Sequence, residues 1–441
     1  MVSKTQRASM ITFGCLVLTV ICFVSYQLTW NISKLHVAYP GSSFYNELLF
    51  RVPAIPLGRE NNSCLVKDGE SATKGPPQRQ RTPKRRWERY FQQVLDRFSV
   101  NFSSEFRNPC WYEGTELQCV PYFYQLGSYK CGTTDLWDKL TQHPDVLPVA
   151  KEPHWWALRR FGFTDTPIHK DLVLHIRNET GQDDDSSVQW YLNLYKNQSV
   201  ELIQKNPKLI FGDASISNLW GLGIYNWKEH FPNQTDPPVF LSDLIHAVQP
   251  TAKITVILRD PVEKYFQYIH KAYNFILWTT YMLRRSVTQD SSTFDTYTNR
   301  LIKNAAKCES IHTPLYCAFT NEAMPVSPLR NKLYEGVFVL YLREWIEVFG
   351  SKNIHVLRIE DWKSNPINEL ERLIKYLELD PLPTETLNSI VSRSKINVNK
   401  YAKKRNMTMW QSTRKKLQKF YRPWNQHLSE LLKDQKYTWD Y

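Results

Sequence analysis

The sequence predicts an α/β protein: a P-loop-like parallel sheet flanked by helices, carried on an N-terminal transmembrane helix. Three observations point there. Short apolar runs of strand type at 121–126, 208–212, 253–258 and 354–359 alternate with stretches of helical spacing, the pattern of a parallel sheet covered on both faces. A glycine-containing loop follows the first run directly, and no charged residue occurs from Ala8 to Trp30.

A chain of 441 residues accommodates one large α/β domain with accessory segments, because single cores stop growing near about 250–300 residues. With 42% hydrophobic residues, among them 15 Trp, 24 Tyr and 21 Phe, wholesale disorder is excluded. The formal net charge of +13 favours anionic partners, and nucleic acid, acidic lipid and sulfated polysaccharide all qualify on charge alone.

Compartment separates them. The run Met10 to Tyr26 approaches the roughly 20 residues that span a bilayer, and Lys4 and Arg7 before it keep the short N-terminus cytoplasmic. Its length and the lack of a small-x-small cleavage site favour a signal-anchor over a cleaved leader. The expected layout is a cytoplasmic tail at 1–9, the anchor at 10–30, a lumenal stem at 31–86 and the catalytic domain at 87–441. The stem carries Pro, Gly and Ser without periodicity and ends in a basic run, Lys74 to Arg86, which suits a solvated linker. N-x-Ser/Thr sequons at Asn31, Asn61, Asn101, Asn178, Asn197, Asn233 and Asn406 fit a lumenal domain and argue against nucleic acid as the partner.

Of 8 cysteines, Cys15 and Cys22 lie in the membrane run. Cys110 with Cys119, and Cys308 with Cys317, have the spacing of local disulfide loops, leaving Cys64 and Cys131 unassigned. No Cys-x-x-Cys or His/Cys cluster suggests a structural zinc or other metal site.

The run Val120 to Leu126 is followed by Gly127-Ser-Tyr-Lys-Cys-Gly-Thr-Thr134 and then by helical spacing from Asp135. Strand, glycine loop and helix form a phosphate cradle, since glycines admit an anion to the backbone amides and the helix N-terminus attracts it. In the nucleotide-triphosphatase loop G-x-x-x-x-G-K-[ST] lysine follows the second glycine. Here Thr133 stands in that slot, and the lysine has moved inside the loop to Lys130. Such a loop suits one phosphate carrying one sulfate, with no γ-phosphate and no bridging metal.

Lys130-Cys131-Gly132-Thr133-Thr134 resembles the 5′-phosphosulfate loop of sulfotransferases. With Lys151-Glu-Pro-His-Trp-Trp156, Phe211-Gly-Asp-Ala-Ser215, Leu258-Arg-Asp-Pro-Val-Glu263, Asn321-Glu-Ala-Met-Pro325 and Phe420-Tyr-Arg-Pro-Trp-Asn425, the chain is similar to the carbohydrate sulfotransferases, especially the chondroitin-modifying N-acetylgalactosamine 4-sulfate 6-O-sulfotransferases. The resemblance implies a sulfotransferase fold, a Golgi membrane location, 3′-phosphoadenylyl sulfate (PAPS) as donor and a sulfated glycosaminoglycan as acceptor. It places the donor on Lys130, Cys131, Gly132, Thr133, Thr134 and Asp135.

Arg259 is a cation at the C-terminal end of a core strand, where open α/β sheets bind ligands, whereas Asp260 and Pro261 read as a helix N-cap and first-turn proline. The resemblance makes Arg259 the clamp on the donor 3′-phosphate. Relatives place a Ser further along that helix, where this chain has Gln267, so the donor site departs from the family pattern there. Lys400 and Lys404 match basic residues that precede a Met-Trp pair in relatives and are candidate donor or acceptor contacts.

Sulfuryl transfer to an alcohol needs a proton acceptor and a cation beside the departing oxygen. By resemblance Glu152 is the general base and Lys130 stabilises the leaving group, with His154 the competing base. Lys151, His154, Trp155, Asp213 and Ser215 are the candidate acceptor contacts, and at least one of Trp155 and Trp156 is expected in the core. Two other readings compete. A lumenal P-loop kinase is disfavoured by the displaced lysine, and a silent glycan-binding protein is admitted by Gln267.

Overall fold

β1 (Cys110–Glu113) and β2 (Glu116–Cys119) form an antiparallel hairpin, with Cys110 opposite Cys119 and the two joined by a disulfide. The turn between them passes through Gly114, whose φ of 62° is a conformation that glycine adopts without steric cost. The computed structural model describes residues 92–98, 101–157, 187–221, 233–269, 291–320, 333–396 and 408–441. The expected membrane helix, the stem, Cys64, Asn31, Asn61, Asn178, Asn406, Lys400, Lys404 and the 321–325 motif lie outside these residues. Among the described residues no helix is long and apolar enough to cross a membrane.

The main sheet contains β3 (Phe123–Gly127), β4 (Gly212–Asp213), β5 (Lys253–Leu258) and β6 (Ile354–Arg358), all parallel, in the order β4-β3-β5-β6. Each expected strand is present, although β4 is only 2 residues long and begins at the end of the predicted 208–212 run. β3 is buried along its whole length, and β5 is buried after Lys253. Burial on both faces explains their continuous apolar and β-branched runs.

The strand order creates a crevice. From β3 the chain moves to β4 on one side and then returns to β5 on the other, so connections diverge at the C-terminal end of β3, where ligands of open α/β sheets bind. Helix α1 (Thr133–Leu140) leaves that end of β3, and α2 (Val188–Tyr195), capped by Ser187, lies on the way to β4. Helix α3 (261–269) leaves β5; the Asp260 carboxylate accepts from the Val262 amide at 2.8 Å, as its N-cap reading requires. α4 (Ser291–Glu309) and α5 (Phe338–Phe349) precede β6, α6 (Ile359–Ser364) follows it, and α7 (Gln411–Leu432) is the long C-terminal helix. The helical pattern at 334–349 resolves into a 3-10 turn, Tyr334–Gly336, and then α5.

The second expected disulfide, Cys308–Cys317, ties the end of α4 to the short helix Pro314–Phe319. Cross-links that close short loops stabilise by about 2–4 kcal/mol. Cys308→Ser with Cys317→Ser is therefore expected to lower the free energy of unfolding by that amount, read by urea titration, with donor binding retained at temperatures where the variant is folded.

Candidate active site

The loop from Gly127 to Gly132 is shaped by its glycines. A Cβ at Gly127 would lie 2.5 Å from Thr133 Cγ2, so only glycine lets the helix start so close to the strand. Gly132, at φ 84°, caps α1 and turns the chain into it. The first amides of a helix have no acceptor within it, which leaves those of Thr133 and Thr134 to serve an anion. The Gln125 side chain donates to the Thr133 carbonyl at 2.9 Å and fastens this turn to β3. Ser128 is buried in the same loop, and its hydroxyl has no hydrogen-bond partner among the described residues.

Arg259, at the end of β5, donates from Nη1 to the Lys130 carbonyl at 3.0 Å. The Arg259 guanidinium therefore touches the backbone of the loop that carries Lys130, and these are the two elements that the resemblance assigns to the two ends of one ligand. The Arg259 turn is braced from elsewhere: the Asp260 amide donates to Glu360 Oε1 at 3.1 Å, and the Tyr441 hydroxyl donates to Asp260 Oδ1 at 2.5 Å.

A second loop carries Glu152. Its carboxylate lies between Lys151 and His154, with Lys151 Nζ in contact with Oε1 and His154 Nε2 3.6 Å from Oε2. The His154 amide donates to Ser215 Oγ at 2.8 Å, and His154 Nδ1 lies 2.8 Å from Ser217 Oγ. Beneath them the buried Asp213 carboxylate accepts from the Ser215 amide and the Tyr191 hydroxyl at 2.8 and 2.9 Å. Burial raises the pKa of Asp213 above the ordinary carboxylate value, opposed by those hydrogen bonds. The segment that holds His154 also meets the phosphate loop: Ile216 approaches Gly127, and Trp220 stacks on Tyr129 at 5.5 Å. The two loops are thus joined at the C-terminal end of β3.

Lys130, Glu152 and His154 all have left-handed backbones, at φ 67°, 64° and 54°. A non-glycine residue in that region costs about 1–3 kcal/mol unless its surroundings hold it, and such residues concentrate at functional sites. Here the hydrogen bond to the Lys130 carbonyl and those made by His154 supply the hold.

Several sequence expectations need correction. Trp155 and Trp156 are both fully buried, where at least one was expected to be, and Trp155, stacked on Tyr191 at 4.7 Å and donating to the Ser187 carbonyl, presents no face to a sugar. Asp213 and Ser215 are buried as well and support His154 rather than face an acceptor. The Asp135 carboxylate is occupied by Lys139 at 2.8 Å, Trp362 Nε1 at 2.9 Å and the Ile396 amide at 3.3 Å. Burial alone would raise its pKa, but those donors hold it below the ordinary value, and its side chain is a strut rather than a donor contact. Cys131 is a buried free thiol whose pKa burial pushes up to about 12, so it contributes backbone and packing to the loop. Gln267 is half-buried on α3. Asn101 and Asn233 are exposed, as sequons require, and Asn197 lies in the helical turn Lys196–Val200.

Sequence reading missed Ser217, Glu360 and Tyr441. Tyr441 is 181 positions from the aspartate it braces, and no local pattern announces a contact of that separation.

A sulfotransferase domain profile matches residues 228–435. Carbohydrate sulfotransferase 15 of Mus musculus is 33% identical over 341 residues, which cover 73% of this chain and 55% of that protein. The Homo sapiens protein of the same name gives the same figures. Over these residues the chain is similar to the carbohydrate sulfotransferases. The chain spans about half the length of the curated relatives it matches, 55% in each case. A bifunctional heparan sulfate N-deacetylase/N-sulfotransferase of Drosophila melanogaster is 20% identical over 293 residues, 62% of this chain and 22% of that one. Among solved structures, a sulfotransferase from Alicyclobacillus acidocaldarius aligns with 72% of this chain and 97% of its own at 19% identity, with a TM-score of 0.43.

Proposed function

We propose that the chain transfers a sulfuryl group from PAPS to a glycosaminoglycan hydroxyl, specifically the 6-hydroxyl of N-acetylgalactosamine 4-sulfate in chondroitin or dermatan sulfate. It acts in the Golgi lumen as a single-pass type II membrane protein. The single observation that carries this reading is the hydrogen bond from the Arg259 guanidinium to the Lys130 carbonyl, which sets a guanidinium fork against the phosphate loop in one crevice beside the Glu152 loop. The name carried by the mouse and human relatives supports a carbohydrate acceptor, and the net charge of +13 suits a sulfated one.

The donor fits the residues present. Gly127 and Gly132 open the cradle, the buried Ser128 hydroxyl has a donor to spare, and Arg259 supplies planar recognition of a phosphate. When bound, PAPS supplies the sulfuryl group and a bisphosphate leaving group. Lys130 and the α1 amides stabilise negative charge at the 5′ end, Arg259 holds the 3′-phosphate, and Glu152 accepts the proton of the attacking hydroxyl. Glu152 suits that role better than His154. Its side chain is 30% exposed and His154's is 9% exposed, and both His154 Nδ1 and its amide are already engaged.

The test is transfer of labelled sulfate from PAPS to chondroitin sulfate by the full chain in detergent, followed by disaccharide analysis for a 4,6-disulfated unit. Polysaccharide binding without transfer would establish the silent-binder reading, and magnesium-dependent phosphate transfer from ATP the kinase reading. Gln267→Ser is expected to raise affinity for 3′,5′-adenosine bisphosphate several-fold, since the smaller hydroxyl leaves room beside the 3′-phosphate. Unchanged or weaker binding by calorimetry contradicts that.

Lys151 adds a pH dependence. Burial lowers its pKa from 10.5 to about 8, opposed by the Asp213 carboxylate. Above that pH the ammonium at Glu152 Oε1 loses its charge, and kcat is expected to fall along an alkaline limb near pH 8 that Lys151→Arg moves upward. Stability changes in the opposite sense. Between pH 8 and 10.5 the unfolded chain holds more protons at this site than the folded one, so its unfavourable contribution is relieved as pH rises.

A further inference from the structure

We infer that Ser217 is a positioning residue, whose hydroxyl selects the tautomer of His154 bearing its proton on Nε2 and thereby orients Glu152. The inference rests on the reading of Glu152 as the base. A neutral imidazole has one donor and one acceptor nitrogen, and their assignment follows from the partners. His154 Nε2 faces Glu152 Oε2 at 3.6 Å, and an ionised carboxylate only accepts. A lone pair on Nε2 would oppose it, so the proton belongs there and Nδ1 is the acceptor. The atom 2.8 Å from Nδ1 is Ser217 Oγ, a hydroxyl able to donate, held in a buried 3-10 turn, Ile216–Leu219. Ser215 is already committed: its hydroxyl accepts from the His154 amide, and its own amide donates to Asp213. Ser215 fixes the backbone of His154, and Ser217 fixes its ring.

The consequence falls on the carboxylate. Lys151 contacts Oε1 and His154 faces Oε2 at 3.6 Å, so the Glu152 carboxylate is flanked on both sides while lone pairs remain to accept the substrate proton. Misplacing a catalytic group by about 1 Å costs about 100-fold in rate. Loss of the Ser217 hydroxyl frees the ring to adopt the Nδ1–H form, which turns a lone pair towards Glu152.

Two measurements test this. Nitrogen-15 correlation spectra of the full chain, with the His154 signals assigned by difference from His154→Gln, are expected to show a protonated Nε2 in wild type and a mixture of tautomers in Ser217→Ala. Kinetically, Ser217→Ala is expected to lower kcat about 10- to 100-fold with the KM for PAPS unchanged, and Ser217→Thr, which keeps the hydroxyl, to restore most of the rate. Wild-type His154 with its proton on Nδ1 overturns the inference without recourse to any variant. So does a Ser217→Ala protein whose tautomer is unchanged, or one that loses kcat and donor affinity equally. If wild type transfers no sulfate but its tautomer depends on Ser217, the hydrogen-bonding relay stands and the enzymatic reading of Glu152 is what fails.

Discussion

Glu152→Gln is expected to abolish sulfate transfer almost completely, lowering kcat by about 10²–10⁴-fold, the range that a positioned general base contributes. The amide keeps the shape of the side chain and a hydrogen-bonding oxygen but cannot take a proton. Because the proposed donor contacts lie on the other loop and on Arg259, affinity for 3′,5′-adenosine bisphosphate should match wild type in calorimetry. The companion variant His154→Gln separates the two candidate bases. It removes a group that supports Glu152 and should lose less than Glu152→Gln does. If Glu152→Gln retains full rate, the base is elsewhere and His154 is the next residue to examine.

Arg259→Ala is expected to have the largest effect on donor binding. A hydrogen bond to a charged group contributes about 1.5–3 kcal/mol, so removal of the guanidinium should weaken binding of 3′,5′-adenosine bisphosphate roughly 10- to 150-fold. The same substitution deletes the bond to the Lys130 carbonyl, and some affinity for the 5′ end will be lost with it. Arg259→Lys distinguishes the contributions, since it keeps a charge but not the planar fork. The expected result is a larger loss for the 3′,5′-bisphosphate than for 5′-AMP in both variants. Equal losses for the two nucleotides would remove Arg259 from the 3′-phosphate.

The parts of this site legible in the sequence were those with a local chemical signature. Glycines at 127 and 132 with Lys130 between them announce an anion loop, because only such spacing brings backbone amides to a phosphate, and the loop is found after β3 as the pattern requires. Arg259 was legible because a cation at the end of an apolar strand has no packing role there. The four strands followed from their apolar runs, and β4 emerged shorter because only Gly212 and Asp213 pair in the ladder with β3. Other features depended on tertiary contacts. Asp135 looks like a ligand in a phosphate loop, yet Trp362 and Ile396, more than 200 positions away, take its carboxylate. Trp155 looks like a sugar platform beside a candidate base, but the aromatic cluster with Tyr191 encloses it. Ser217 has no motif at all, and only its 2.8 Å approach to His154 gives it a role.

One ligand, phosphorylated at both ends of an adenosine, is proposed to be gripped by the Lys130 loop and Arg259 together. Titration calorimetry of the full chain with 3′,5′-adenosine bisphosphate tests it most directly, with 5′-AMP as the comparison. Saturable one-to-one binding is expected, at least tenfold tighter for the bisphosphate and weakened by either Lys130→Ala or Arg259→Ala. A folded protein that binds neither nucleotide, or binds both equally, would contradict it.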